Sequence, residues 1–316
     1  MAIEIYIVSG FLGAGKTTFV HKLLKESFRD KKVVLIENDF GEISVDAALM
    51  KSLGVTVREL NSGCICCSLS GDFIKSLKEV SERFHPDIVL IEPSGVGKLS
   101  DIVAACEDKR LSGLFTVKAK IAIADAKRCR MYLENFGEFF EDQIRHANTI
   151  VLSRTEDAET VKKALGLIHE LNPEASVFSI PWESFSADNV LLAAAQTPET
   201  HCHEACCTHE HSHTHENNGC CEHDYGAEKI FDTVTLRTEG EYSPEELKAR
   251  FSRLTQSLDG KLLRAKGIVN SKNGCLELQY VQDELKIAPT ETRGDIICFI
   301  GKGLKSSEFN AVFNGK

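Results

Sequence analysis

Three observations predict an α/β fold: a three-layer, mainly parallel sheet followed by a small α+β unit. Apolar runs alternate with amphipathic stretches through residues 1–197, the composition breaks at residue 198, and ordered patterning of a different kind resumes at residue 227. The runs are Ile3–Ser9, Val33–Glu37, Val55–Leu60, Asp87–Glu92, Val117–Ala124, Thr149–Ser153 and Ser176–Ile180. Several are apolar at nearly every position, as strands covered on both faces are. Between them Thr17–Phe28, Asp72–Phe84, Phe139–Ala147 and Ala158–Leu171 carry helical periodicity. Such alternation implies parallel strands joined by crossover helices, with ligands at the carboxyl ends of the strands.

Residues 198–226 hold almost no aliphatic side chain, so they cannot build a core and read as a flexible linker. Residues 227–316 then give a compact α+β unit. Ile230–Arg237 reads as a strand, and Ser243-Pro-Glu-Glu246 starts a helix with Ser at the N-cap, Pro at N1 and Glu at N3. Leu247, Phe251, Leu254 and Leu258 give that helix one apolar face. Leu262–Val269 and Cys275–Val281 read as a hairpin across Asn270–Gly274, Ile296–Ile300 as a further strand, and Ser307–Phe313 as a short final helix. No catalytic motif stands out in this part.

The composition is that of an ordinary globular protein, 42% hydrophobic and 27% charged. A formal net charge of -10 argues against a nucleic-acid partner, which demands a basic surface. No apolar run approaches membrane-spanning length, and the opening Met1-Ala-Ile-Glu-Ile5 lacks the features of a signal peptide, so a cytoplasmic location is expected. In a reducing compartment, clustered cysteines are metal ligands or redox thiols more often than disulfides. Of twelve cysteines, three lie in Cys64–Cys67 and five in Cys202–Cys221. The scattered Cys106, Cys129, Cys275 and Cys298 read as small buried hydrophobes.

Gly10-Phe-Leu-Gly-Ala-Gly15-Lys16-Thr17 satisfies G-x-x-x-x-G-K-[ST] at every fixed position, with an apolar strand before it and an amphipathic helix after. The pattern reads as a phosphate loop for a nucleoside triphosphate with Mg²⁺, the alternative being a glycine-rich strand–helix turn with no ligand. Its backbone N–H groups wrap the phosphates, and the following helix N-terminus adds favourable partial charge. Gly10, Gly13, Ala14, Gly15, Lys16, Thr17 and Thr18 are the candidate binding residues, with Lys16 reaching the β- and γ-phosphates and the Thr17 hydroxyl ligating Mg²⁺. Glu37 and Asp39 follow the second strand, and Glu92 and Gly95 the fourth, where they would face the γ-phosphate and metal. Glu92 is suited to a Mg²⁺-bound or attacking water, and Gly95 to sensing the γ-phosphate; the alternative for all these acids is simple solvation at strand ends.

Asn61-Ser-Gly-Cys64-Ile-Cys66-Cys67 follows the third strand at the same sheet edge. Three thiolates from one loop suit Zn²⁺, Cu⁺ or Co²⁺, in a site open or completed by Glu, His or water, because no second C-x-x-C follows. Unliganded cysteines or a reversible disulfide are the competing readings.

In their order along the chain, the Gly10–Thr18 loop, Glu37-Asn-Asp-Phe-Gly41, the Cys64–Cys67 loop and Glu92-Pro-Ser-Gly95 resemble the CobW-type P-loop GTPases. Gln143 ahead of Ala147-Asn148, Arg264-Ala-Lys-Gly267 and the histidine-rich linker extend the resemblance over nearly the whole chain. It implies a P-loop GTPase domain at 1–197, the linker at 198–226 and a CobW-like C-terminal domain at 227–316. It further implies a GTP-dependent metallochaperone or metalloenzyme activator, with Cys64, Cys66 and Cys67 holding Zn²⁺ or Co²⁺. Expected partners are GTP, the metal ion and a client metalloprotein, with a homodimer as a possible assembly. The guanine-reading Asn-Lys-x-Asp of the family is here Ser153-Arg154-Thr155-Glu156, with Glu156 in place of the aspartate that pairs with guanine. The Ala-Asp-Pro that often follows Gly95 is replaced by Val96-Gly-Lys98.

The linker holds seven of the eleven histidines, and the alternating His209, His211, His213 and His215 suit recruitment of Zn²⁺, Ni²⁺, Co²⁺ or Cu. A metal-storage protein with a regulatory nucleotide site is the alternative function. A small-molecule kinase fits less well, because no arginine-bearing lid is evident and the cysteine loop would have no task.

Overall fold

The computed structural model describes residues 2–37, 56–59, 71–196, 232–281, 284–291 and 293–315. Its first part alternates β1 (Ile3–Gly10), α1 (Lys16–Glu26), β2 (Val33–Glu37), β3 (Thr56–Glu59), α2 (Asp72–Phe84), β4 (Ile88–Glu92), α3 (Leu99–Cys106), β5 (Phe115–Asp125), α4 (Cys129–Arg145), β6 (Thr149–Ser153), α5 (Ala158–Leu171), β7 (Ser176–Phe178) and α6 (Ala187–Gln196). The strands lie in the order β3-β2-β4-β1-β5-β6-β7, and every pairing is parallel. The sequence led us to expect a mainly parallel sheet; among the described residues it is wholly so.

Side-chain alternation along β1 divides the apolar interior in two. Ile5 and Ile7 join a core with α2, α3, α4 and α5, while Val8 joins α1 and α6 on the opposite face. Each strand buried on both faces is therefore apolar throughout, and β1 carries the chain from the middle of the sheet directly into the Gly10–Thr17 loop.

The second part comprises β8 (Asp232–Arg237), α7 (Pro244–Ser257), β9 (Lys261–Ser271), β10 (Gly274–Val281), β11 (Glu284–Thr290), β12 (Ile296–Lys302) and α8 (Ser306–Phe313). Its antiparallel sheet runs β11-β10-β9-β12-β8. The Ser243 hydroxyl accepts from the Glu246 N–H at 3.1 Å and caps α7 as its sequence indicates. One sheet face packs on α7 and α8 through Ala265, Leu278, Ile297 and Phe299. The other faces the first sheet: Leu263, Cys298 and Ile300 belong to the same core as Phe11, Tyr132 and Phe136. A bulge allows this. Ile300 pairs with Arg264 but Gly301 with Leu262, so Leu263 is an extra residue and shares a face with Arg264.

Several elements differ from their sequence reading. The helix expected at Phe139–Ala147 begins at Cys129, and Phe136 interrupts it with φ -140°, ψ 32°. Gly137 beside the kink weakens the local helical signal. Helices α3 and α6 were not expected, being short and rich in alanine and small residues. Strand β11 was also missed: it is an edge strand, largely exposed, with Pro289 in it. The hairpin connection is shorter than Asn270–Gly274, because β9 runs to Ser271. Cys106, Cys129 and Cys298 are buried as expected, whereas Cys275 is only half-buried. No helix among the described residues is long and apolar enough to cross a membrane.

The Leu263 seam can be measured. Leu263→Ala, at a fully buried position, is expected to lower unfolding stability by about 2–5 kcal/mol. Leu114→Ala, at 42% exposure, should change it by less than about 0.5 kcal/mol in the same urea titration.

Candidate functional site

The loop between β1 and α1 forms one wall of a cavity of about 640 Å³. Gly13, Ala14, Gly15, Lys16, Thr17 and Thr18 line it, so six of the seven loop residues singled out in the sequence meet there. The seventh, Gly10, is the last residue of β1. Gly13 has φ +71°, in the left-handed region, and a Cβ on it would lie 2.5 Å from a Val281 methyl. Only glycine lets the loop turn there against the C-terminal sheet. Lys16 is buried, its ammonium 3.5 Å from the Phe11 carbonyl inside the loop.

Beside the loop, the Thr17 hydroxyl donates to Glu92 Oε1 at 2.8 Å. Register sets Glu92 opposite Glu37, so two neighbouring strands end in glutamate at one level. Like charges placed opposite each other on neighbouring strands repel, which a bound cation relieves. A threonine hydroxyl with adjacent carboxylates is the hard-oxygen donor set that Mg²⁺ takes, so these residues fit the ion.

The loop after β4 is held from two sides. Gly95 approaches the phosphate loop so closely that a Cβ would lie 2.8 Å from the Leu12 nitrogen. From behind, the buried Gln143 amide donates to the Gly95 carbonyl at 3.2 Å and the Gly97 carbonyl at 2.8 Å. Tyr132, on the other half of the same kinked helix, donates its hydroxyl to the Leu12 carbonyl at 3.1 Å. Helix α4 thus grips both loops. At its C-terminal end Asp142 accepts from the Ser100 N–H at 3.1 Å and hydroxyl at 2.6 Å, and pairs with His146 at 3.1 Å. The Asp142 hydrogen bond raises the His146 pKa, against the effect of burial. Burial works to raise the Asp142 carboxyl, but His146 and Ser100 outweigh it and hold it below the ordinary value.

Ser153, Arg154, Thr155 and Glu156 line the same cavity. Arg154 has φ +56°, an uncommon conformation for a side-chain-bearing residue and a mark of local constraint. Its guanidinium pairs with the fully buried Asp125 and donates to the Gly13 carbonyl at 3.4 Å. Arg128 reaches Asp125 at 3.1 Å, and both arginines approach Glu284 of β11 at 3.4 Å. Burial pushes the Asp125 carboxyl upward, and the two guanidiniums pull against it. Glu156 is exposed and lies 3.4 Å from Lys127.

Five groups of lining residues were not singled out from the sequence as a site: His21, Pro181–Glu183, Arg264 with Lys266, Gln279 with Val281, and Glu284 with Lys286. The available signal was the pair of cations alternating inside the apolar strand Leu262–Val269. Asp39, Cys64, Cys66, Cys67, His209, His211, His213 and His215 lie outside the described residues.

With that geometry in view, the known families decide the kinship. The CobW/HypB/UreG nucleotide-binding domain matches residues 4–179, and the cobalamin synthesis protein CobW C-terminal domain matches residues 231–315. The chain belongs to the CobW family. Among relatives of this CobW-family chain, the zinc chaperone CobW of Sinorhizobium sp is 33% identical over 190 residues, covering 51% of this chain and 53% of the relative. The zinc chaperone YjiA of Escherichia coli K12 is 29% identical over 184 residues, 56% of this chain and 57% of the relative. The zinc-regulated GTPase metalloprotein activator 1 of Dictyostelium discoideum is 26% identical over 212 residues, 55% and 44% respectively. The chain spans about half the length of the curated relatives it matches.

Two outcomes test the grip of α4. Gln143→Leu removes the buried donor of two carbonyls and should cost about 1–3 kcal/mol, with faster amide exchange in the Ser94–Gly97 loop. The raised His146 pKa gives stability that is fully present below the ordinary histidine value and is lost as pH rises through the raised one. His146→Gln should therefore destabilise the protein at about pH 5.5 and leave it nearly unchanged at about pH 9, in paired denaturant titrations.

Proposed function

We propose that this chain is a GTP-dependent metallochaperone that hydrolyses GTP to control the binding and delivery of a transition metal, zinc first and cobalt second, to a client metalloprotein. The observation that carries the reading is the cavity in which Lys16, the 2.8 Å Thr17–Glu92 pair and Ser153–Glu156 converge. In it the loop N–H groups and Lys16 bind the triphosphate, and Thr17 holds Mg²⁺ with Glu92 beside it. When bound there, Mg²⁺ would supply positive charge that offsets the phosphates. Glu92 orients water, and the Gly95 N–H, anchored by Gln143, senses the γ-phosphate.

On the base side, Glu156 supplies the carboxylate for guanine N1–H and N2–H₂, and Arg154 fixes the turn that presents it. Cys64, Cys66 and Cys67 carry the cargo metal. In sequence they lie between β3 and α2, after a strand that pairs with the one ending in Glu37. The names of the relatives, zinc chaperones and zinc-regulated activators, support zinc as the cargo. We assign residues 1–197 to the GTPase domain, 198–226 to a metal-recruiting linker with His209, His211, His213 and His215, and 227–316 to the C-terminal domain. We also infer a cytoplasmic location, supported by the want of a membrane-length apolar run, and no nucleic-acid partner, supported by the charge of -10. A homodimer remains part of the proposal, to be read by light scattering.

The test combines GTP and ATP hydrolysis with zinc titration in the apo, GDP and GTP-analogue states. Lys16→Ala is expected to abolish hydrolysis, Cys66→Ala to remove nucleotide-dependent zinc binding, and zinc affinity to differ between the nucleotide states. Identical zinc affinity in all three states would sink the coupling. Several ions per chain, lost on deletion of residues 201–223 and indifferent to Lys16→Ala, would instead establish storage.

A further inference from the structure

After β7 the chain passes along the cavity wall in one tight turn. Pro181 starts it with φ -52°, and the Ser184 N–H donates to the Pro181 carbonyl at 2.9 Å. Pro181, Trp182 and Glu183 all line the cavity of the phosphate loop. Trp182 is the single tryptophan of the chain, and among the described residues it is the only Phe, Tyr or Trp in that lining.

Its indole is fixed from several sides. The Nε1–H donates to the carbonyl of Leu152, near the end of β6, at 2.7 Å. Phe19 of α1 meets it nearly edge-on, with ring centres 5.6 Å apart and planes at 77°. A Cβ on Gly15, which has φ +108°, would lie 3.1 Å from Trp182 Cη2, so the six-membered ring rests against the phosphate loop. Trp182 thus touches both the loop and the residue just before Ser153. It is only half-buried, and its one polar atom is already satisfied inside the protein. What it offers the cavity is aromatic carbon surface, amid a lining that is largely polar or charged. Next along the chain, the Ser153 hydroxyl is buried and has no hydrogen-bond partner among the described residues. A buried hydroxyl left unpaired is costly until a ligand or water completes it. A flat ring with hydrogen-bonding edges uses both groups.

We propose that Trp182 binds the base of the nucleotide seated on the Gly10–Thr17 loop, its indole face packing on the purine while the Ser153 hydroxyl bonds to the purine edge. The proposal rests on the nucleotide reading given above and names the group that holds the base. Both contacts suit any purine, because every base has a π face and a hydroxyl both donates and accepts. Telling guanine from adenine then falls to the Glu156 carboxylate. Trp182 supplies affinity, and Glu156 selects.

The experiment follows Trp182 emission in the full chain with Mg²⁺ as GTP or inorganic triphosphate is added. Calorimetry then measures both ligands in wild type, Trp182→Ala, Trp182→Phe, Ser153→Ala and Lys16→Ala. GTP is expected to quench the emission, and inorganic triphosphate to leave it unchanged. Trp182→Ala should weaken GTP about tenfold, Ser153→Ala roughly fivefold, and Trp182→Phe should stay within about threefold of wild type. None of these three should alter the affinity for inorganic triphosphate, which also reports that the loop is folded. If Trp182→Ala binds GTP as wild type does while Lys16→Ala loses it, the nucleotide reading stands and the stacking role is refuted. Equal loss of GTP and inorganic triphosphate in Trp182→Ala would mean that the indole merely props Gly15, and refutes it too. If wild type and Lys16→Ala bind GTP equally, the nucleotide reading fails and this one with it. Emission is read in the unaltered protein, so GTP that leaves it unchanged overturns the proposal even where a Trp182 variant fails to fold.

Discussion

A carboxylate with no exposed surface, Asp125, joins the working parts of the molecule. It ends β5, and its two guanidinium partners come from the N-cap of α4 and from the segment after β6. Through Arg154 the charge is linked to the Gly13 carbonyl of the phosphate loop, and through both arginines to Glu284 of the second sheet. A buried ion is tolerated only where partners are fixed around it, and removal of one member leaves the others stranded. That requirement ties the positions of the phosphate loop, the turn at Arg154 and the C-terminal sheet to one another.

Helix α4 makes a second linkage of the same kind with neutral groups. Its kink at Phe136 divides it into two grips, Tyr132 on the Leu12 carbonyl and Gln143 on the Gly95 and Gly97 carbonyls. An unbroken helix would present residues 132 and 143 at fixed relative angles. The kink frees each half to meet its own loop. A displacement of the loop after β4 is thereby felt along α4, in the core that also holds Leu263, Cys298 and Ile300.

Much of this was legible in the sequence. Strands buried on both faces announce themselves by unbroken apolar runs, so β2 and β6 fall at the residues expected. The phosphate loop was plain because its chemistry needs glycine and lysine at fixed spacing. The cavity's second wall was not. It depends on which face of β9 the pleat presents and on how two sheets pack, and neither follows from local pattern. Arg264 and Lys266 carry part of the family resemblance, but their place on one cavity with Gly13 is a matter of tertiary structure. Asp125 lies just past the expected run Val117–Ala124, and only the fold brings Arg128 and Arg154 around it.

The bulge in β9 has a mechanical consequence. Because Leu263 is supernumerary, an apolar anchor and a cation stand on the same face as consecutive residues, where regular pleating would put them on opposite sides. Their α-carbons are about 3.8 Å apart across one peptide unit, a coupling far stiffer than any noncovalent contact. A shift of the seam between the two sheets therefore moves Arg264 by a similar distance, and force on that guanidinium is returned to the seam. One inserted residue makes the strand a short lever, with its fulcrum in oil and its working end at the charge.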